Sequence, residues 1–510
     1  MLRIRKIILD KRILDFLWTI IGLGIIVWTI IPVLYLTKYT YPVQDDFHVA
    51  SQMRMYSEQG YSCFTGAMHQ MIGDYKIFMG AYSANFLVYF VGGIIDCAQP
   101  GMMIYEISSI VVFCISLFLF VRSICVYLFQ IDKRAVIPLY ACVLTMVNNV
   151  FYYADHEDYY WLETSVMYLT IMSFMLISLY MAIRLSCITE KKHYKTFLIL
   201  SCVMAFLGSG ANLSLSFMNC AFHFMIFAFL WLKDDSEKKH FPPLFAALIG
   251  TFINGIAPGN YVRKGSVDGI HEIVNSVYFS CRFVFERLEK IWRQPIFIIV
   301  VIIMILLLML HSEEITDIRL GYKWPMLVAL GMYFICAAVT FPAILGYGYE
   351  ILLICNRLLF IIDVMIYLTT FFMCIYLTGW MRYKYDKDIL MKVKKDACIL
   401  AAFIILISLA KLRDNEWRWT PVIRMYREIN SGRMKEFSNY VRGVYSELEN
   451  SKDNIVRINV DRVEDKCCLI DPLFFYGEHD DEQSFYYDDA IVRFYKKDSL
   501  ILIDQQAEKE

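Results

Sequence analysis

The chain has 510 residues, 58% of them apolar and only 19% charged, with a mean hydropathy of +0.48 and a formal net charge of −1. Soluble domains average about 25% charged residues, so the composition argues against an ordinary soluble fold, and the balanced charge offers no footprint for nucleic acid. Fifteen cysteines are scattered without a CxxC pair; Cys467-Cys468 are adjacent, which suits no ordinary zinc site, and most cysteines read as small apolar filler.

Apolar runs predict an all-α polytopic membrane bundle of about eleven transmembrane helices. They lie near 13–36, 102–129, 135–152, 165–185, 196–211, 213–232, 242–257, 296–311, 325–345, 358–380 and 396–411. The first run is longer than a signal-peptide core and lacks a small-residue cleavage pattern, so it reads as a retained span. Arg3, Arg5, Lys6, Lys11 and Arg12 precede it and predict a cytoplasmic N-terminus. Alternation then puts Lys133 and Arg134, Lys191 to Lys195, Lys233 to Lys239, Arg319 and Lys323, and Arg382 to Lys395 on the same side. The segment 1–411 is expected to be the membrane domain of a plasma-membrane protein. The segment 412–510 alternates polar and apolar residues around Asn454–Val460 and looks helical from Pro421 to Glu449. It is expected to be a small extracytoplasmic α/β domain. No internal repeat is apparent, which disfavours transporter folds built from repeats.

The chemistry gathers in the outer loops. The first, about 37–101, is far longer than most connections and opens with Tyr41-Pro42-Val43-Gln44-Asp45-Asp46-Phe47-His48. Carboxylates at a bilayer surface need a reason, since a charge within hydrocarbon costs roughly 2.5–3.5 kcal/mol on insertion scales. Phe64, Ile72, Ile77, Phe78, Phe86, Leu87, Tyr89 and Phe90 suggest helices lying in the interface plane. The plainer alternative is a solvated cap, with Asp46 starting a helix from Phe47 to Gln59. The second outer loop reads Asp155-His156-Glu157-Asp158-Tyr159-Tyr160-Trp161-Leu162-Glu163. It is either a substrate site, with Asp155 and Asp158 as candidate ligands for Mg²⁺ or Mn²⁺, or an aromatic interface belt with solubilising acids. Gly208-Ser209-Gly210-Ala211-Asn212 marks a break that suggests close backbone approach or a helix hairpin.

Pro258-Gly259-Asn260-Tyr261-Val262-Arg263-Lys264 is a turn followed by a cationic pair. Arg263 is suited either to phosphate or to anionic headgroups. An amphipathic helix over about 265–293 follows, with Arg282, Glu286, Arg287, Glu289 and Lys290 mostly opposite its apolar face. It reads as an outer interfacial helix. Arg357 begins a later span. It could snorkel to the headgroups, hold a phosphate or pair with Asp363.

This architecture resembles the GT-C superfamily of integral-membrane glycosyltransferases. Within it, the chain is similar to bacterial multi-pass proteins related to the GtrII-type glucosyltransferases. Asp45-Asp46, the stretch Trp161-Leu162-Glu163-Thr164-Ser165-Val166-Met167-Tyr168 and Pro258-Gly259-Asn260-Tyr261-Val262-Arg263 carry the similarity. The resemblance implies a polyprenyl-phosphate-linked sugar donor, a hydroxyl acceptor on the outer face (a cell-surface glycan, lipid or polymer), and an aspartate of the first pair assisting that hydroxyl. Asp45 is expected to be the base and Asp46 to orient the acceptor or bind a metal. Arg263 or Arg357, with Lys264, would hold the leaving phosphate, while Asn260, His156, Glu157 and Trp161 would contact substrate. A flippase or transporter of lipid-linked sugars is the alternative from another class, and a polysaccharide polymerase the alternative among enzymes.

Overall fold

The computed structural model of the protein describes residues 11–149, 157–188, 190–233, 241–264, 270–311, 315, 318, 321–385, 420–460 and 489–504. In chain order, α1 (Lys11–Leu36) leads into a loop folded as α2 (Asp45–Glu58), α3 (Cys63–Ile77) and α4 (Tyr82–Ile95). Then come α5 (Gly101–Ser123), α6 (Val136–Asn149) and α7 (Leu162–Leu185). They are followed by α8 (Lys191–Gly208), α9 (Leu213–Leu232), α10 (Phe241–Gly255) and the short α11 (Pro258–Lys264). The rest of the bundle is α12 (Ile270–Trp292), α13 (Pro295–Leu310), α14 (Pro325–Tyr347) and α15 (Asn356–Lys384).

The fold is an all-helical bundle with fewer membrane-capable helices than the eleven expected. Among the described residues six qualify: Ile13–Tyr39, Gly101–Leu128, Leu162–Leu185, Leu213–Leu232, Pro325–Tyr347 and Asn356–Lys384. A seventh crossing exists if Glu272–Trp292 and Pro295–Leu310, which meet at an 83° bend, form one broken span. Part of the difference falls where the description stops: α6 is described for 14 residues, up to the undescribed 150–156, and α10 starts directly after the undescribed 234–240. Helix α10 has 15 residues, and α8 begins with Lys191, Lys192 and Lys195. The run expected at 396–411 lies outside the described residues.

Helix α15 is the enclosed centre, buried over most of its length. The surfaces of α1 and α14 present Phe16, Val27, Met326 and Leu327 outward, as expected where lipid rather than protein is the neighbour. The C-terminal segment contributes α16 (Pro421–Ser431) and α17 (Arg433–Asn450), separated at Gly432, whose φ of 78° suits glycine. It also contributes two parallel strands, β1 (Ile455–Val460) and β2 (Ser499–Asp504), paired from Ile455↔Ser499 to Val460↔Asp504. This segment docks on the end of the bundle that carries Asp46. Tyr445 Oη donates to the Pro42 carbonyl (2.8 Å), and Arg442 to that of Thr40 (2.8 Å). The rings of Tyr445, Phe494 and Tyr495 close around Phe47.

Candidate functional site

Helix α2 begins at the aspartate pair, directly after Gln44, whose backbone sits at φ 42°, ψ −109°. That conformation is sterically costly for a residue with a Cβ and marks a held turn. It turns Asp46 inward. The carboxylate is 3% exposed; Oδ2 accepts the Val43 N–H and Oδ1 the Glu163 N–H, each at 3.0 Å. Gln44, not Asp46, occupies the cap position of α2, with no side-chain cap bond. Asp46 lies in the first turn and instead ties the preceding loop at Val43 to the start of α7. Burial pushes its carboxyl up to about 7, against the pull of the backbone amides. Asp45, its neighbour, is half-buried.

Glu163 carries the site onward. Its Oε2 lies 3.9 Å from Arg357 Nη1, and the Arg357 guanidinium stacks over the Trp161 ring at 4.7 Å. The Trp161 indole nitrogen is buried and has no hydrogen-bond partner among the described residues. A buried donor left unmade is destabilising by about 1–3 kcal/mol, so this one is a position where an incoming acceptor atom would be favoured. Just beyond Glu163, Ser165–Thr170 widens into a π-helical turn, a deformation that recurs at functional sites. The cavity bounded by Asp46, Val49, Val88, Gly92, Cys97, Leu162, Glu163 and Val166 has about 10 Å³ of solvent-accessible volume. It takes at most about one water.

Two further buried carboxylates stand nearby. Glu106 of α5 is fully buried and accepts the Thr40 hydroxyl at 2.8 Å through Oε2, while Oε1 has no partner among the described residues. Asp74 of α3 accepts from Gln70 (2.9 Å) and Asn85 (3.3 Å), and burial pushes it up to about 6. Gln70 in turn accepts from Tyr56 (2.9 Å) and Gln52 (3.2 Å), giving a network that joins α2, α3 and α4. Asp74 is not among the residues that the sequence pattern singles out. Its signal was a lone acid four residues after a glutamine in an otherwise apolar, helical stretch.

Of the residues expected to form the site, Asp46, Trp161 and Arg357 come together, joined by Glu163. Asn260 is occupied by backbone: its Oδ1 accepts the Gly80 N–H (3.0 Å) and its Nδ2 donates to the Asn254 carbonyl (2.7 Å). It fastens α11 to the first loop. Gly259 permits that contact, because a Cβ there would lie 2.6–2.8 Å from Phe78 N, Met79 N and the Asp74 carbonyl oxygen. Arg263 and Lys264 lie on α11, and Glu157 and Asp158 on the short helix Glu157–Tyr160; their side chains, like Asp155 and His156 entirely, are outside the described residues. Among the described residues no group of three His, Cys, Asp or Glu could hold a metal ion.

Asp363 pairs with Arg287, not with Arg357. Arg287 Nε and Nη2 meet the two carboxylate oxygens at 2.7 and 2.6 Å, with Asp363 buried and the Arg287 side chain about a tenth exposed. Arg287 is thus turned into the bundle from α12, where the helical pattern suggested the polar face. The Gly208–Asn212 break is a close backbone approach: Gly210 accepts the Ala84 N–H at 2.9 Å, and Asn212 caps α9 by accepting the Leu215 N–H (2.9 Å).

No protein-family model, curated protein or solved structure matches this chain.

Proposed function

We propose that the protein is a membrane glycosyltransferase that moves a sugar from a polyprenyl-phosphate donor to a hydroxyl acceptor on the extracytoplasmic face. The observation that carries this reading is the Asp46–Glu163–Arg357–Trp161 constellation. Fixed carboxylates, a guanidinium and an orphan indole N–H meet at one end of an apolar bundle. Phosphate departure needs a cation where negative charge develops, and Arg357, about a quarter exposed, supplies it. An attacking hydroxyl needs a carboxylate within hydrogen-bond reach. Asp46 has both oxygens committed to backbone amides, beside a cavity too small for a sugar. In this reading the base is Asp45, half-buried at the start of α2, and Asp46 is a positioning residue that holds the turn.

The transporter alternative is less well supported. Its ionisable groups belong near mid-membrane. Glu106 stands five residues into α5 and Asp363 seven residues into α15, about 8 and 10 Å from the helix ends nearest the site. The Asp363 charge is also met bidentately by Arg287.

The test uses purified full-length protein, incubated with a panel of polyprenyl-phosphate sugars and hydroxyl acceptors. Release of polyprenyl phosphate, abolished in Asp45→Asn and Arg357→Gln, supports the reading. No release from any donor, or unchanged release by both variants, overturns it.

A further inference from the structure

At the opposite end of the bundle, α14 starts and α15 finishes side by side. Between them lies an apolar groove of about 550 Å³, lined by Trp324, Pro325, Met326, Leu327, Leu377 and Trp380. The approach to it is unusual. Gly321, Tyr322 and Trp324 have φ of 56°, 51° and 53°, and such values are costly for bulky residues. Tyr322 is locked in place. It is 1% exposed and packs on the bare backbone of Gly379, where a Cβ would come within 2.5 Å of its ring. The Tyr376 hydroxyl donates to the Lys323 carbonyl at 2.8 Å, fixing the next residue. The result of this over-determined turn is exposed: Trp324 is 66%, Met326 84% and Leu327 64% accessible. A fold that holds a strained backbone so as to present apolar side chains presents them to something.

Charge identifies the occupant. At this end the described carboxylates Asp15 and Asp132 are paired with Arg134, and the charged side chains that α14, α15 and the turn before α14 contribute are Lys323, Arg382 and Lys384, all positive. Arg382 is engaged with the Ile315 carbonyl. Lys323 and Lys384 are exposed, and Lys384 Nζ stands over the Trp380 ring at 4.9 Å, at the rim of the groove. Tryptophan at the headgroup level with lysine just beyond it is the arrangement that anchors to a bilayer interface.

We propose that this groove is a binding site for one anionic phospholipid. Its acyl chain lies along Trp324, Met326, Leu327 and Leu377, and its phosphate sits between Lys323 and Lys384. The site is independent of the proposed glycosyl transfer, which concerns the other end of the molecule.

The experiment is native mass spectrometry of the full-length protein, released from detergent after equilibration with phosphatidylglycerol or phosphatidylcholine of the same chain length. Two lysines that each favour an anionic headgroup about fivefold predict roughly a 25-fold preference for the first lipid. The Lys323→Gln/Lys384→Gln variant should retain both lipids equally. Both positions are exposed, so its thermal midpoint should equal that of the wild type, and that measurement separates loss of the site from loss of fold. A Leu327→Ser variant should lower retention of phosphatidylglycerol while keeping the preference. Equal retention of the two lipids by the wild type, an unchanged preference in the double lysine variant, or displacement of phosphatidylglycerol by millimolar inorganic phosphate overturns the proposal.

Discussion

Replacing Asp46 with asparagine tests how the turn at the site is held. The carboxylate accepts two backbone amides, and a neutral carboxylic acid can still do so, because both of its oxygens keep lone pairs. Asparagine cannot: its nitrogen faces one of those N–H groups, which is then unmade at about 1–3 kcal/mol. The pH dependence runs the other way. The Asp46 carboxyl is raised from 3.8 to about 7 by burial, so its stabilising contribution is fully present below 3.8 and is lost as pH rises through about 7. Between pH 5 and 8 the unfolded chain gains about 4 kcal/mol from ionising this group, while the folded chain gains only about 1. The wild type therefore loses roughly 3 kcal/mol relative to a variant that does not titrate. At pH 5 Asp46→Asn should melt below the wild type; at pH 8 the gap should close or reverse. Thermal denaturation in detergent at the two pH values, followed by tryptophan fluorescence, reads the difference. A gap that stays constant from pH 5 to 8 would mean that Asp46 ionises like an exposed carboxyl, and the burial argument would fail.

Trp161→Phe removes an unpartnered buried N–H and keeps the ring, so stability should hold or rise slightly, while sugar transfer falls if the indole meets substrate; full activity in the release assay would make the indole merely structural. Asp363→Ala strands the Arg287 charge and should be destabilising by about 3–5 kcal/mol, whereas Arg287→Met/Asp363→Leu should recover most of that, as thermal midpoints would show. Gly259→Ala drives a methyl into backbone at 74, 78 and 79 and should be destabilising by about 1–3 kcal/mol, with faster proteolysis of the first loop as the readout.

Much of the architecture was legible because it is written locally. Apolar runs at 13–36, 102–129, 165–185, 213–232, 325–345 and 358–380 coincide with the six membrane-capable helices, since length and hydropathy alone decide whether a helix can bridge hydrocarbon. The count differs at α8, which opens with three lysines, and at α6 and α10, whose described lengths stop beside residues outside the description. Asp45-Asp46 starting a helix was readable from the preference of carboxylates for the first turn. The strand expected around 454–460 coincides with β1, but its partner, β2, lies beyond what alternation at one segment can reveal.

The sequence by itself determined that the chain carries helices long and apolar enough to cross a membrane, where they lie and which loops carry charge, because composition and periodicity act over one or two helical turns. Only the tertiary structure decided which aspartate turns inward, that Glu163 stands between Asp46 and Arg357, and that Arg287 rather than Arg357 neutralises Asp363. The Asp46 contact closes across 117 residues and the Arg287 pair across 76. The physical reason is that buried charges are strongly coupled to whatever packing sets beside them, and no local pattern records which of several distant partners the bundle brings within 3 Å.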